Sequence, residues 1–312
     1  MTAEIAIMNK EAIALAADSA VTMTQEKGKK IFPSANKLFA LSKYHPVGIM
    51  VYGSAGFMDV PWETIIKIYR NKLGKQKFGT LNKYANNFVA FLDNSNPLFP
   101  ETQQKKYLYG STFSYFALIR KKIKEKIKSI MEKEGKITDD QVERITSDMI
   151  KYHLDELKKA KMLPSIPRSH IDDIINKYGN IINKAREEVF EKLPISTASL
   201  NQLRRISATL FSKNIFKVNI SGVVIAGFGE KDTFPSLKSF DIEGIVNNKL
   251  KYKVRLSAEI NFENNATIIP FAQREMVATF MEGIEPYLRD QIEGYLSEIF
   301  DKYPEIIVET QV

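Results

Sequence analysis

The chain of 312 residues contains no cysteine. A disulfide framework, a thiol nucleophile and a thiolate metal site are excluded with it. Histidine is scarce: His45, His153 and His170 are the three in the chain, and no two have the spacing that shares a helix face. That argues against histidine-rich zinc sites and most Ser-His-Asp triads. Nucleophilic chemistry here needs a base other than imidazole. Long apolar runs are lacking too, none approaching the roughly 18 residues of a bilayer span. Glu4, Asn9, Lys10 and Glu11 interrupt the start, so it lacks the basic-then-apolar layout of a secretory signal. These absences lead to the expectation of a cytoplasmic protein without membrane contact.

What is present is ordinary for a globular chain: 44% hydrophobic and 26% charged residues, enough for one large domain or two smaller ones. The formal charge of +8 is unevenly spread. Residues 102–213 hold 23 Lys and Arg against 14 Asp and Glu. The basic character therefore belongs to one segment.

The first hundred residues read as α/β. EIAIM (4–8) and AIALAAD (12–18) are short apolar strands joined by the polar turn Asn9-Lys10-Glu11, a hairpin signal. KLFALS (37–42) and VGIMVYGSAG (47–56) form a second pair. Asp59 is a fitting N-cap for a helix that Gly74 stops, and a second helix runs over 81–94. Between 102 and 213 the pattern turns helical, with Ile119, Ile123, Ile127 and Ile130 in one stripe. Three to five helices are expected there, inserted into an α/β domain made of 1–101 and 214–312. Strands return over 216–229, 236–244 and 250–262. In the last, Tyr252, Val254, Leu256, Ala258 and Ile260 should share a face. Helices over 273–284 and 286–303 close the chain.

A threonine follows the initiator methionine. Removal of Met1 would leave Thr2 with both a hydroxyl nucleophile and its own α-amine, which titrates near about 7.7–8.0 when unperturbed. A nearby ammonium would favour the free-base form. The stretch TAEIAIMNKEAIALAADSAVT then resembles the start of a proteasome β-subunit, in the threonine branch of the N-terminal nucleophile hydrolases. In that family a catalytic Asp ends the second strand sixteen positions after the Thr, and Thr2 and Asp18 have that separation. Lys37 in ANKLFAL occupies the place of the family's catalytic Lys. Gly53 in VYGSAGFMD fits its oxyanion donor. GVVIAGFGEKDTFPSLKSFDIEG is similar to the family's later strand pair. The likeness covers roughly 1–95 and 216–284.

That resemblance implies an α+β fold, a four-layer αββα sandwich, carrying a basic helical insertion. It implies a threonine peptidase or amidohydrolase needing no metal or cofactor. Thr2 Oγ would attack a peptide or amide carbonyl and its α-amine would shuttle the proton. Lys37 would tune the amine, Asp18 would orient Lys37, and the Gly53 N–H would bind the oxyanion. Val21, Ala35, Phe39, Val51 and Ala55 would line a small apolar pocket. A homo-oligomer is expected, as in the proteasome group; an unfoldase partner cannot be inferred.

Each residue also has a plainer reading: a frayed Thr2, a turn-forming Asp18, a strand-edge Lys37, a Gly53 that only serves a turn. Departures from the family keep alternatives open. Ala20 stands where the family often has Arg. TIIPFAQREM lacks a Gly-Ser-Gly turn, the later Asp-x-x-Ser-Gly is missing, and Glu11-Ala12 replaces a turn glycine. The family's further strands are also missing after the last helices. Either the second sheet is completed differently or the chain is part of a longer protein. The main rival is a non-catalytic subunit of the same fold. A third reading has the 102–213 helices touching nucleic acid through phosphates. Glu125, Glu132, Glu134, Asp139 and Asp140 argue instead for surface pairing with neighbouring lysines.

Overall fold

A computed structural model describes residues 3–19, 21–25, 28–32, 36–93, 96–218, 220–272 and 274–309. The chain starts with strands β1 (Glu4–Asn9), β2 (Ile13–Ala17), β3 (Val21–Gln25), β4 (Gly28–Phe32), β5 (Leu38–Ala40) and β6 (Val47–Gly53). The short pair β7 (Gly56–Phe57) and β8 (Val60–Pro61) leads into helices α1 (Trp62–Leu73) and α2 (Leu81–Asp93). Four helices follow: α3 (Glu101–Glu134), α4 (Asp139–Lys159), α5 (His170–Phe190) and α6 (Thr197–Leu210). Strands β9 (Ser221–Gly227), β10 (Ser236–Val246), β11 (Lys249–Glu259) and β12 (Ala266–Ala272) come next, then helices α7 (Arg274–Glu282) and α8 (Pro286–Glu309). The fold is thus mixed α+β, and every strand pairing among the described residues is antiparallel. No helix among the described residues is long and apolar enough to cross a membrane.

Two sheets carry the fold. The larger runs β11-β10-β9-β6-β5 and the smaller β12-β1-β2. β9 is apolar on both faces (Val223 and Ile225 against Val224 and Ala226) because both faces are covered. On one side Val47, Ile49, Val51, Val223 and Ile225 pack on α1 and α2 through Ile65, Ile66, Tyr69, Phe88 and Leu92. On the other, Met50, Tyr52, Val224 and Ala226 meet Ala6 and Met8 of the smaller sheet. The layers run helix, sheet, sheet. The outer face of β12-β1-β2 remains open to solvent at Ile7 and Ile268, which are 46% and 42% exposed.

The expected single apolar face of the 250–262 strand does not hold. Leu250 and Tyr252 pack into the helix-facing core, whereas Leu256, Ala258 and Ile260 pack between the sheets. Val254 faces solvent. The cause is a β-bulge: Ser239 pairs with Leu256 but Phe240 with Val254, leaving Arg255 as an extra residue on β11. One extra residue transfers every later side chain to the opposite face. A second bulge leaves Glu243 extra on β10.

The helices α3–α6 surround their own core, built from Phe116, Ile119, Ile123, Ile150, Ile174, Tyr178, Ile182, Phe190 and Ile206. The isoleucine stripe of α3 is buried at Ile119 and Ile123 and half-buried at Ile127 and Ile130. The bulged Glu243 ties this body to the larger sheet. Its carboxylate pairs with buried Lys251 at 2.8 Å and accepts a hydrogen bond from the Tyr107 hydroxyl of α3 at 3.2 Å. Lys251 also donates to the carbonyl oxygens of Leu210 and Ile215, which tie its buried ammonium to the helical body as well as to Glu243. Asp59 does not cap α1 as expected. Pro61 holds the N-cap position without a side-chain bond; Asp59 adopts a positive φ of 65° and pairs with Lys106 of α3. Gly74 does end α1, with φ 54°.

Candidate active site

The site begins with the β1–β2 hairpin. Asn9 folds the turn by accepting hydrogen bonds on Oδ1 from the N–H groups of Glu11 and Ala12, both at 2.9 Å. The strands pair from Met8 with Ile13 to Glu4 with Ala17. One further bond, from the Asp18 N–H to the Ala3 carbonyl at 3.0 Å, holds Asp18 against the start of β1. β12 pairs along the other edge of β1, from Ala272 beside Glu4 to Ala266 beside Asn9. β1 is therefore the inner strand of its sheet.

Lys37 approaches from the larger sheet. Its carbonyl accepts a hydrogen bond from the Val51 N–H at 2.9 Å, which locks it to β6 just ahead of β5. Its side chain is 9% exposed and crosses to the smaller sheet. There Nζ donates to Asp18 Oδ1 and lies 3.6 Å from Glu4 Oε1. The structure thus brings together two of the residues expected from the sequence, Asp18 and Lys37. The Asp18 side chain is 34% exposed, so the pair sits at the edge of the inter-sheet layer with one side open to solvent.

Glu4 lies outside the residues expected from the sequence. Its side chain is fully buried, and neither carboxyl oxygen has a hydrogen-bond partner among the described residues. Burial pushes its carboxyl up from 4.5 to about 7; Lys37 opposes that shift and Asp18 reinforces it. A signal for Glu4 was present in the sequence. Glu4, Ala6 and Met8 alternate along one strand face, and Ala6 and Met8 face the core. A carboxylate in that phase conflicts with its surroundings, and such conflicts mark functional positions.

Gly53 closes β6 two residues beyond Val51, with φ +81°. A Cβ there would lie 2.2 Å from the Ile220 carbonyl oxygen, so backbone packing alone demands glycine. Its partner Ser221 accepts a buried hydrogen bond from Trp62 Nε1 at 2.9 Å, which braces this end of the sheet. Of the expected pocket residues, Val51 is buried in the helix-facing core and Phe39 packs against it. Ala55 is exposed, and its carbonyl accepts from the Trp62 N–H at 3.3 Å. Val21 opens β3, opposite Phe32. Thr2 and Ala35 lie outside the described residues.

The histidines are elsewhere. His170 bonds Ser212 Oγ at 2.9 Å and the Val246 carbonyl at 3.1 Å, and His153 contacts the Tyr115 hydroxyl at 3.1 Å. Burial lowers both below the usual imidazole range, as expected for neutral core histidines. No group of three His, Asp or Glu side chains among the described residues is placed to hold a metal ion. On the surface of α3, Lys121 pairs with Glu125 at 3.9 Å and Lys128 with Glu132 at 3.8 Å. No protein-family model, curated protein or solved structure matches the chain.

Proposed function

We propose that this chain is a threonine-type N-terminal nucleophile hydrolase that cleaves a peptide or amide bond through an acyl-enzyme on Thr2. The observation that carries this reading is the Lys37–Asp18 pair. A nearly buried ammonium, oriented by a carboxylate held against the start of β1, is the group a nucleophile with its own α-amine needs nearby. In the proposed cycle the α-amine takes the proton from Oγ as Oγ attacks the carbonyl carbon. Asp18 keeps Lys37 directed at the chain start and compensates its charge. The backbone at Gly53, braced by Ser221 and Trp62, would supply the oxyanion donor. No step calls for a metal or cofactor.

The αββα sandwich belongs to the same proposal. Three of its layers correspond to the helix, sheet and sheet order described above. The fourth would lie on the outer face of β12-β1-β2, which is open to solvent at Ile7 and Ile268. Both that face and α8 carry uncovered apolar side chains: Ile7 and Ile268 on the sheet, and Leu288, Ile292, Tyr295 and Ile299 on the helix. The helix residues follow a 4-3-4 spacing, the period of a helix-pairing seam. We therefore also propose a homo-oligomer, in which α8 packs against a second copy.

The deciding experiment is intact mass after treatment with an epoxyketone directed at N-terminal threonine. Loss of Met1 and a single adduct, both read on the wild type and with the adduct missing in a folded Thr2→Ala variant, would support the hydrolase. Retained Met1, or a free Thr2 that never reacts, would favour a non-catalytic subunit of the same fold.

A further inference from the structure

Where the helical body meets the larger sheet, the chain encloses a cavity of about 260 Å³. That is a little below the range of drug-sized sites, roughly 300–1,000 Å³. One face of α3 forms a wall, with Ser111, Ser114, Tyr115 and Leu118 at helix-face spacing. The end of α6 and the segment after it supply Leu210, Phe216 and Lys217, and β10 supplies Glu243. None of these residues belongs to the Lys37–Asp18 site or serves the hydrolase chemistry.

The charges around this cavity do not balance. Glu243 is already matched by Lys251 at 2.8 Å and by the Tyr107 hydroxyl at 3.2 Å. Lys253 lies 4.6 Å from the centre of the Phe216 ring and is paired with Asp241 at 3.4 Å. Asp241 in turn also meets Arg255 at 3.4 Å. Lys217 differs from these. Among the described residues its ammonium has no carboxylate within ion-pair distance. It donates to Ser111 Oγ at 2.6 Å and lies 5.0 Å from the centre of the Tyr107 ring. Burial lowers this amine from the usual lysine range, and the charge of Glu243 opposes the shift, as for an ammonium short of compensation.

The surroundings hold Lys217 in place. Tyr107 is seated on Gly244, where an added Cβ would fall 2.3 Å from its ring. Ser111 is 3% exposed and accepts from Lys217, so its hydroxyl proton remains to be donated. Lys217 as a residue is exposed, as is Ser114, so the cavity opens to solvent on their side.

We propose that this cavity binds a small apolar monocarboxylate, its carboxylate held by Lys217 and Ser111 and its hydrocarbon body against Tyr115, Leu118, Leu210 and Phe216. One surplus ammonium calls for one negative charge. A phosphate dianion would bring a second charge beside Glu243 and leave it uncompensated. A neutral apolar molecule would leave the ammonium unpaired. A carboxylate offers two oxygens to two donors, the ammonium of Lys217 and the hydroxyl of Ser111, and bonds of this charged kind are the strong ones.

Isothermal titration of the full chain with octanoate tests this, with octanol and octylamine as probes of the same chain length. Octanoate should bind at one site, and octanol roughly 10-fold or more weaker. Lys217→Met should weaken octanoate by roughly 10- to 100-fold and leave octanol unchanged. Ser114→Trp, at an exposed position, should fill the mouth of the cavity and abolish binding of both. If Lys217→Met does not fold, Ser114→Trp and the ratio of octanoate to octanol decide. Equal binding of octanoate and octanol overturns the proposal, as does tighter binding of octylamine. So does a wild type that binds octanoate without saturation, or octanoate binding that a folded Lys217→Met or Ser114→Trp leaves unchanged.

Discussion

Lys37 Nζ lies 3.6 Å from Glu4 Oε1 while donating to Asp18, so one ammonium from the larger sheet serves two carboxylates of the smaller. This is a charged link between layers that otherwise meet through apolar side chains. Replacing the lysine should show how much depends on it. Lys37→Met leaves Glu4 and Asp18 without their cation. It should destabilise the fold by about 3 kcal/mol at pH 8.5, in the range for breaking a buried pair. At pH 5.5 the loss should be smaller, because Glu4 can be neutral. Urea unfolding midpoints at the two pH values check both statements. An equal loss at both would mean that Lys37 acts by packing rather than by charge.

Glu4 also sets a pH dependence of stability. Its carboxyl is raised from 4.5 to about 7 in the folded chain, so between those values the folded state holds a proton that the unfolded state has released. The contribution is fully present below about pH 4.5 and is lost as pH rises through about 7, a total on the order of 3 kcal/mol. Thermal melts of wild type should fall between pH 5.5 and 8.5 relative to Glu4→Gln, whose amide does not titrate. Parallel pH profiles for the two proteins would be the contrary result.

Gly53 admits no side chain. With φ +81° and the Ile220 carbonyl 2.2 Å from a built Cβ, Gly53→Ala should lose about 2–4 kcal/mol by combining backbone strain with a steric clash. The Trp62–Ser221 hydrogen bond is adjacent, so tryptophan fluorescence should shift in the folded variant. A variant as stable as wild type would show that this corner of β6 yields easily.

The apolar row on α8 makes a prediction about assembly. Ile292→Glu places a charge in the middle of the Leu288-Ile292-Tyr295-Ile299 row. It should lower the sedimentation-velocity mass toward that of one chain while leaving the far-ultraviolet spectrum unchanged. A wild type that sediments as a single chain at all concentrations would end the homo-oligomer proposal.

The β1–β2 hairpin was legible because its turn is local, with Asn9 bonding residues two and three positions away. The helices were legible from their apolar period. β12 was not, since ATIIPFA contains Pro270 and reads poorly as a strand. Proline is tolerated there because β12 lies at the edge of its sheet. The β3–β4 hairpin reads as a polar loop, because Val21 and Met23 alternate with threonines over only five residues and GKKIF does not alternate at all. The bulge at Arg255 could not be seen from one strand, because it exists only relative to the register of β10. At the site, Asp18 and Lys37 could be found by resemblance. Glu4 required noticing a charge in the buried phase of β1, a conflict visible only once the inner face is known.

The pairing of β1 with β12 also bears on synthesis. Glu4 leaves the ribosome well before its neighbour Ala272, which emerges only after the whole helical body has been made. Until then one edge of β1 has no partner, and its backbone groups remain available to any other strand. The helices of α3–α6, rich in local contacts, are free to fold in that interval. Enclosure of the Lys37 cluster is thus deferred until β12 has been made, so the nascent protein carries an unfinished pocket while its helices fold.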